Sequence, residues 1–243
     1  MNCSLCNNVI NGKYYADYWN NKVCAYHIEE GHATHCSSCG AITAKEYQLE
    51  DGRVLCKICN RNSVTHLSQI RGLIRRVKKS LVDVGFDNFQ IDDINISLLT
   101  AEELAIKRNT NRPDTNNKGL TLSNVSNSIG GLLLRNKQKC THNIFILHRL
   151  TKVEFAGVLA HEFLHAWQIK NSISLEAPKC EGLCNMGSFL LFSTLSSSLS
   201  SYYIKNLFDN PDPVYGGGFR YVHALYEEVG WEGVINKALK NNL

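Results

Sequence analysis

Residues 151–170 read Thr-Lys-Val-Glu-Phe-Ala-Gly-Val-Leu-Ala-His-Glu-Phe-Leu-His-Ala-Trp-Gln-Ile-Lys, and the reading of the whole chain turns on them. Their centre is His161-Glu162-Phe163-Leu164-His165. On a helix, side chains four positions apart are separated by about 6 Å along the axis and point nearly the same way. Two imidazoles so placed can share one tetrahedral zinc. Glu162, beside the first histidine, is then the general base for a metal-activated water. Paired histidines also occur on ordinary helices, bonded to solvent or carbonyls, so the context has to decide. Here it favours metal. Thr151 with Glu154 three positions on spells a capping box. Phe155, Val158, Leu159, Phe163 and Ala166 supply an apolar side. Gly157, one turn before His161, is expected to leave room beside the metal. The strand-like run His142 to His148 leads directly into this helix, and both of those histidines are read as strand-end residues rather than ligands.

A third ligand is needed. A metzincin would carry glycine at position 168 and histidine at position 171, but the chain has Gln168 and Asn171, so that subclass is excluded. A second helix is predicted to start near Pro178, a residue favoured at the first helical position. It carries Glu181, which can reach back as the carboxylate of a two-histidine, one-glutamate site. Glu176 competes but precedes Pro178 and falls in the loop. Further on, Pro211 to Arg220 holds two prolines and three consecutive glycines and reads as a loop. A hydrolase of amides also needs a donor for the developing oxyanion. Tyr215 and Arg220 are the candidates, with His223 third; the competing reading packs Tyr215 under a purely structural loop. Phe219 to Val229 and Glu232 to Lys240 are predicted as closing helices. Ser193 to Ser201 is read as continuing an apolar helix.

The first 62 residues carry a different chemistry. Ten cysteines are present, and seven of them lie before residue 60. Cys3-x2-Cys6 is followed after seventeen residues by Cys24-x2-His27; Cys36-x2-Cys39 is followed after sixteen by Cys56-x2-Cys59. The two halves form an internal repeat of knuckle, hairpin and second ligand pair. The hairpins are predicted at Tyr14 to Val23, turning near Asn20-Asn21, and at Tyr47 to Leu55, turning at Asp51-Gly52. Each quartet would hold a structural zinc that supplies folding energy too small a core cannot. An alternative first site is Cys3, Cys6, His32 and His35. The repeat favours Cys24 and His27, leaving His32 and His35 in a surface loop.

Composition narrows the class. Hydrophobic residues make up 44% and charged residues 20% of 243, and the net charge is +4, too small to imply nucleic acid. The N-terminus has no apolar h-region, and Phe189 to Phe208 is interrupted by serines and a lysine, so neither an export signal nor a membrane span is read. Paired C-x-x-C spacings without an export signal favour zinc over disulfides and a cytoplasmic setting. Between the two halves, Val64, Leu67, Ile70, Ile74, Val77 and Leu81 recur with helical period. Arg71, Arg75, Arg76, Lys78 and Lys79 form the opposite face, read as solvated, with an acidic partner or phosphate backbone as the lesser alternative. Gly85 is expected to end this helix. Strands are predicted at Phe89 to Ile91, Ile94 to Leu98 and Leu120 to Ser123. A short helix opens at Thr100 with Glu103 as its box partner, and 109–118 is a polar loop. Leu120 to Val125 is the candidate strand for substrate backbone.

The knuckle array resembles a LIM domain, although its third and fourth ligands run Cys then His. Eight residues also part His27 from Cys36, where the LIM pattern has about two. LIM-like modules usually bind proteins, which makes a protein partner the expectation for this one. His161 to Trp167, then Glu181-Gly182-Leu183-Cys184, then Asp212 to Arg220 resemble the plant organ-size-limiting LIM peptidases and their bacterial relatives. Those are LIM-containing gluzincins whose plant members are activated by ubiquitin and cleave growth regulators. The resemblance is densest over 140–232. It implies that His161, His165 and Glu181 bind catalytic zinc and that Glu162 is the base. Two departures stand out. The plant proteins carry ubiquitin-interacting segments ahead of their LIM domain, and this chain begins at the zinc module, so ubiquitin activation is not carried over. Position 180 is Cys180 where a second acid is expected; Cys180 and Cys184 are read as packing thiols. The fold expected is α+β: a LIM-like double zinc module at 1–62, then a gluzincin-type metallopeptidase domain at 63–243, with 63–85 as connector helix. One catalytic and two structural zinc ions are implied, with a protein or peptide as substrate. The alternative from another class is a zinc-dependent adaptor whose peptidase domain no longer turns over.

Overall fold

A computed structural model describes residues 1–86, 94–126 and 139–243. The expected strand at Phe89 to Ile91 lies outside the described residues.

The cysteine-rich part contains three two-stranded antiparallel hairpins. The first joins β1 (Tyr14–Ala16) to β2 (Lys22–Cys24), and α1 (Ala25–Glu29) follows. The second joins β3 (Ala33–His35) to β4 (Ile42–Ala44). The third joins β5 (Tyr47–Gln48) to β6 (Val54–Leu55), and α2 (Lys57–Arg61) follows. The middle hairpin was not anticipated. It turns through Cys36-Ser37-Ser38-Cys39, with His35 paired to Ile42, and so places His35 on a strand rather than in a loop. Apolar support is thin: one small cluster holds Cys3, Val23, Ala33 and Ile42, another Cys36, Cys39, Leu55 and Cys59. Half of these buried groups are thiols, consistent with a core too small to fold on hydrophobic burial alone.

The connector starts later than its periodicity suggested. A 3-10 turn, Leu67–Ile70, is capped by His66 and Gln69, and α3 (Arg71–Asp83) follows. It ends just before Gly85, and Lys79 pairs with Asp83 at 2.7 Å on its exposed face. Next come β7 (Ile94–Leu99), α4 (Ala101–Lys107) with the expected Thr100/Glu103 box, β8 (Gly119–Ser126) and β9 (Lys139–Leu147). The sheet order is β7-β9-β8, with β7 parallel and β8 antiparallel to β9. Among the described strands β8 is an outer one.

Four helices complete the chain: α5 (Lys152–Lys170), α6 (Ala177–Ser193), α7 (Ser198–Asp209) and α8 (Gly218–Leu239). The motif helix α5 is central, not merely one-sided. Phe155, Leu159, Phe163, Leu164 and Trp167 are buried, and so are Glu154, Glu162 and Gln168. Each buried apolar side chain contributes roughly 1.5–3 kcal/mol, which explains why the strand, connector and α6 all gather on this helix. Its N-terminus departs from the reciprocal capping box: Thr151 Oγ1 accepts from the Glu154 N–H, while the Glu154 carboxylate pairs with Lys118 at 2.6 Å. Gly157 lines the same cavity as His161 and Glu162, and a Cβ there would overlap the ring of Phe192 from α6, so the glycine also serves the approach of the two helices.

Two further expectations change. The serine-rich run does not continue α6. Thr194 caps that helix and Ser197 starts α7, accepting from the Ser200 N–H, while Ser200 Oγ donates to Leu195 O and Ser197 O. Short hydroxyl side chains compete for backbone groups and make the break. Pro213–Gly217 is a π-helical turn capped by Asp212 rather than an irregular loop, and it runs into α8. The expected gap between the closing helices is present within α8, where Gly230 is left-handed at φ 67°.

The cysteine-rich part is sewn to α5. Val64 N–H donates to Leu150 O at 2.7 Å and Lys152 N–H to Asn62 O at 3.2 Å. Arg53, buried and paired to Asp51 at 2.7 Å, donates to His148 O. Ser38 Oγ lies 3.2 Å from Thr151 Oγ1 and 2.8 Å from the Tyr203 hydroxyl.

Where the π turn meets α6, a Cβ on Gly218 would overlap the Pro178 carbonyl. Gly218→Ala is therefore expected to destabilise the chain by about 1–3 kcal/mol through overpacking. A thermal melt of the purified variant measures it; an unchanged midpoint would show that this contact relaxes freely.

Candidate metal centre and its cleft

The helix α5 presents His161 and His165 on one face, and α6 brings Glu181 against them. Their donor atoms converge: His161 Nε2 to His165 Nε2 is 3.1 Å, His161 Nε2 to Glu181 Oε2 is 3.2 Å, and His165 Nε2 to Glu181 Oε2 is 3.5 Å. Tetrahedral zinc with bonds of about 2.0–2.1 Å sets its ligand atoms roughly 3.3 Å apart. The match is close. Glu181 Oε2 is moreover buried with no hydrogen-bond partner, a costly state for an anionic oxygen unless a cation meets it. Burial works against the Glu181 charge, yet the His161 and His165 contacts hold its carboxyl down at about 2. Burial likewise opposes charge on His165, but its Cys180 and Glu181 neighbours push it up to about 10. The donor set thus draws positive charge to one point, and its residue types and spacing fit zinc. Glu176, the competing carboxylate, is the N-cap of α6.

Groups behind the donors fix their orientation. Asn185 Oδ1 lies 2.9 Å from His161 Nδ1, and its Nδ2 donates to Tyr215 O at 3.0 Å. The sequence reading missed Asn185, although it stands one helical turn past Glu181, where a partner for the first histidine belongs. Cys180 is not a bystander either. Its sulfur sits 4.0 Å from His165 Nδ1, and its thiol is held down at about 5, chiefly by Cys184 and next by His165. Cys184, pushed well up by burial, accepts from Gln168 Nε2 at 2.9 Å. The two sulfurs therefore extend a hydrogen-bonded row behind the second histidine, and the packing-thiol reading is too bland.

Glu162 faces the sheet. Thr121 Oγ1 of β8 donates to Glu162 Oε2 at 2.8 Å and lies 3.1 Å from Glu162 O. A Cβ at Gly119 would overlap the Glu162 carboxylate, so only glycine lets β8 come this near. Arg108 holds the start of that strand, donating to Asn117 O and to Gly119 O at 2.6 Å. Neither Thr121 nor Arg108 was singled out from sequence, because only the packing of β8 on α5, and of the end of α4 on the start of β8, reveals their nearness to Glu162.

The oxyanion candidates separate. Tyr215 lines the same cavity as His161, Glu162 and Asn185, a space of about 370 Å³. Its phenol is pushed up by burial and by the Glu181, Asp212 and Glu162 carboxylates, so it keeps its proton and can donate. Arg220 instead donates to Phe208 O at 2.9 Å and Asn210 O at 2.7 Å, tying the end of α7 to α8; its guanidinium serves that junction. His223 stands among the rings of Phe189, Phe208, Phe219 and Tyr226.

In the cysteine-rich part, Cys3, Cys6, Cys24 and His27 bring donor atoms within 4.8 Å of one another, as do Cys36, Cys39, Cys56 and Cys59. His32 instead lies beside the Tyr26 hydroxyl at 3.2 Å, and His35 Nδ1 beside Gly40 O at 2.9 Å. Contacts among Cys36, Cys39, Cys56 and Cys59 drive the Cys36 thiol down and the Cys39 and Cys59 thiols up, so the first proton lost is shared by the whole quartet.

These cysteine and histidine groups fit a zinc-binding, LIM-type protein, and the similarities to known chains agree. The chain is 23% identical to Protein DA1-related 2 of Arabidopsis thaliana over 269 residues, covering 85% of this chain and 50% of that one. It is 26% identical to LIM domain-containing protein HDR3 of Oryza sativa subsp. japonica, covering 76% of this chain and 42% of that one. Against Protein DA1-related 7 of Arabidopsis thaliana it is 26% identical, over 99% and 52% respectively. The chain thus spans about half the length of these curated relatives. The similarity supports a LIM- and DA1-like family relationship. No family model and no solved structure matches. Among the described residues no helix is long and apolar enough to cross a membrane.

Asn185→Ala should weaken zinc at the two-helix centre by about 10–100-fold, as loss of such an orienting partner typically does. Chelator competition on the full chain reads it. Asn185→Asp, which keeps the acceptor, should recover most of the affinity; equal affinity in all three proteins would remove Asn185 from the site.

Proposed function

We propose that the chain is a zinc metallopeptidase that hydrolyses peptide bonds of protein substrates. The observation that carries this reading is the convergence of His161, His165 and Glu181 to within 3.1–3.5 Å, with Glu162 beside them. Zinc held by those three residues would supply Lewis acidity, polarising a carbonyl and acidifying a water. Glu162 takes the water proton on its carboxylate and delivers it to the leaving amine. The Thr121 hydroxyl, 2.8 Å from Glu162 Oε2, fixes that carboxylate for the transfer. Tyr215, protonated in the cleft, donates to the oxygen on which charge develops. The outer strand β8 offers backbone groups to an extended substrate beside Gly119. The quartets at Cys3/Cys6/Cys24/His27 and Cys36/Cys39/Cys56/Cys59 hold two structural zincs, dividing the chain into a zinc module at 1–62 and a peptidase domain at 63–243. A protein partner recognised by the zinc module, and a cytoplasmic setting, complete the proposal.

Metal analysis should find three zincs per chain and two in His161→Ala; a count untouched by that substitution would defeat the assignment. Glu162→Gln should keep all three yet lower cleavage of a proteome-derived peptide pool by at least about 10²–10⁴-fold, the usual worth of a general base. A wild-type chain that cleaves nothing, even with cell extract added, would favour the adaptor reading instead.

A further inference from the structure

The cavity that reaches His161 and Glu162 is not lined by the helices and β8 alone. Ser37 and Ser38, the two residues inside the Cys36/Cys39 knuckle, also line it, together with Tyr202 and Asn206 of α7. Ser38 is the anchor of this wall. It is 5% exposed, and its hydroxyl is shared between the Tyr203 hydroxyl and Thr151, the cap of the motif helix. Ser37 is exposed; its Oγ accepts from the Val54 N–H at 3.1 Å, which leaves the hydroxyl proton free to donate into the cavity. Tyr202 is held by ring contacts with Tyr18, Trp19 and Tyr203, and Trp19 is itself fixed by a bond from its Nε1 to Cys39 O at 2.8 Å. Asn206 is exposed at the end of this row, and its amide makes no hydrogen bond to another described residue.

Charge says what such a wall accepts. Beyond His161 and Glu162, the only ionic groups lining the cavity among the described residues are Lys118 and Glu154, and these neutralise one another at 2.6 Å. The remaining polar groups are hydroxyls and amides, set beside the apolar Val158, Phe192 and Leu207. A charged side chain entering here would lose water and meet no counter-charge, whereas an uncharged hydrogen-bonding one would exchange water for equivalent partners.

We propose that Ser37, Tyr202 and Asn206 form a substrate subsite, continuous with the metal cleft and fixed to it through Ser38, that takes an uncharged hydrogen-bonding peptide side chain such as Ser, Thr, Asn or Gln. The inference rests on the peptidase reading and extends it. The zinc module is then part of the substrate site itself.

The test separates the two claims. A random-peptide library is selected for binding to the full-length Glu162→Gln protein, and the selection is repeated with Ser37→Asp and with Asn206→Asp in that background. Zinc content checks that each stays loaded. The parent should enrich Ser, Thr, Asn or Gln at one peptide position. Both acidic variants should shift that same position toward Lys and Arg by about tenfold, since an added complementary charge alters selectivity by that order. Because Ser37 adjoins a cysteine ligand, Asn206→Asp, on a separate helix, keeps the test sound if the first variant loses metal. Identical profiles in parent and Asn206→Asp, or no peptide bound at all, would overturn the subsite. If the selected peptides bind as described but the wild-type chain does not cut them, the subsite stands and the hydrolytic reading falls.

Discussion

Everything in the helical half depends on three polar atoms being forced to one point. Two imidazole nitrogens and a carboxylate oxygen lie within 3.5 Å of each other, in a place where Glu181 Oε2 finds no hydrogen-bond donor. Left to themselves, such groups would separate or seek water, because a buried unpaired anion costs several kcal/mol. They stay together because α5 and α6 are locked side by side. Phe192 fills the space over Gly157, and Ser188 Oγ donates to Gly157 O at 2.8 Å. Packing thus holds the donors close and leaves their electrostatic demand unmet by protein. That demand suits a doubly charged cation, and Asn185 and Cys180 stand behind the two imidazoles that would meet it.

The N-terminus of α5 meets a second constraint. A helix start leaves N–H groups without partners and needs a cap. Thr151 provides it, and the Thr151 hydroxyl is also where Ser38 of the cysteine-rich part attaches. Around this point Asn62, Val64, Arg53 and Asn60 exchange bonds with residues 148–152. The cysteine-rich part has only small apolar clusters, and its two quartets fit zinc that would add to its order. Its order and the placing of the motif helix are therefore joined through a few hydrogen bonds at one seam.

What could be read from sequence was what local chemistry determines. The knuckle spacings, the hairpin turns, the Thr100/Glu103 box and the start of α6 at Pro178 are each written in a handful of neighbouring residues. So is the pairing of His161 with His165. Glu181 needed one further step, the inference of a second helix. The failures share a different cause. Arg220 looked like a free cation, but the carbonyls of Phe208 and Asn210 come to it only when α7 and α8 meet. At Gly157 the close packing of Phe192 against the bare backbone was not foreseen. The break at Thr194 to Ser197 was hidden by apolar neighbours, although serine's competition for backbone groups offered a signal. Thr121 and Arg108 were invisible because the packing of β8 on α5, and of the end of α4 on the start of β8, sets them near Glu162.

The largest change concerns where recognition is done. Taken from spacing alone, a zinc module ahead of a hydrolytic helix suggests a division of labour: one part selects and the other cuts. That division requires the module to stand apart from the cleft. Instead the knuckle loop Ser37–Ser38 lines the cavity that contains Glu162. Ser38 is buried and its hydroxyl lies against Thr151, the cap of the motif helix, so the wall is tied to the start of that helix. The cysteine-rich part is therefore part of the cleft wall and not only a remote surface. One knuckle thus contributes Ser37 to the cavity wall and Ser38 to the seam at Thr151.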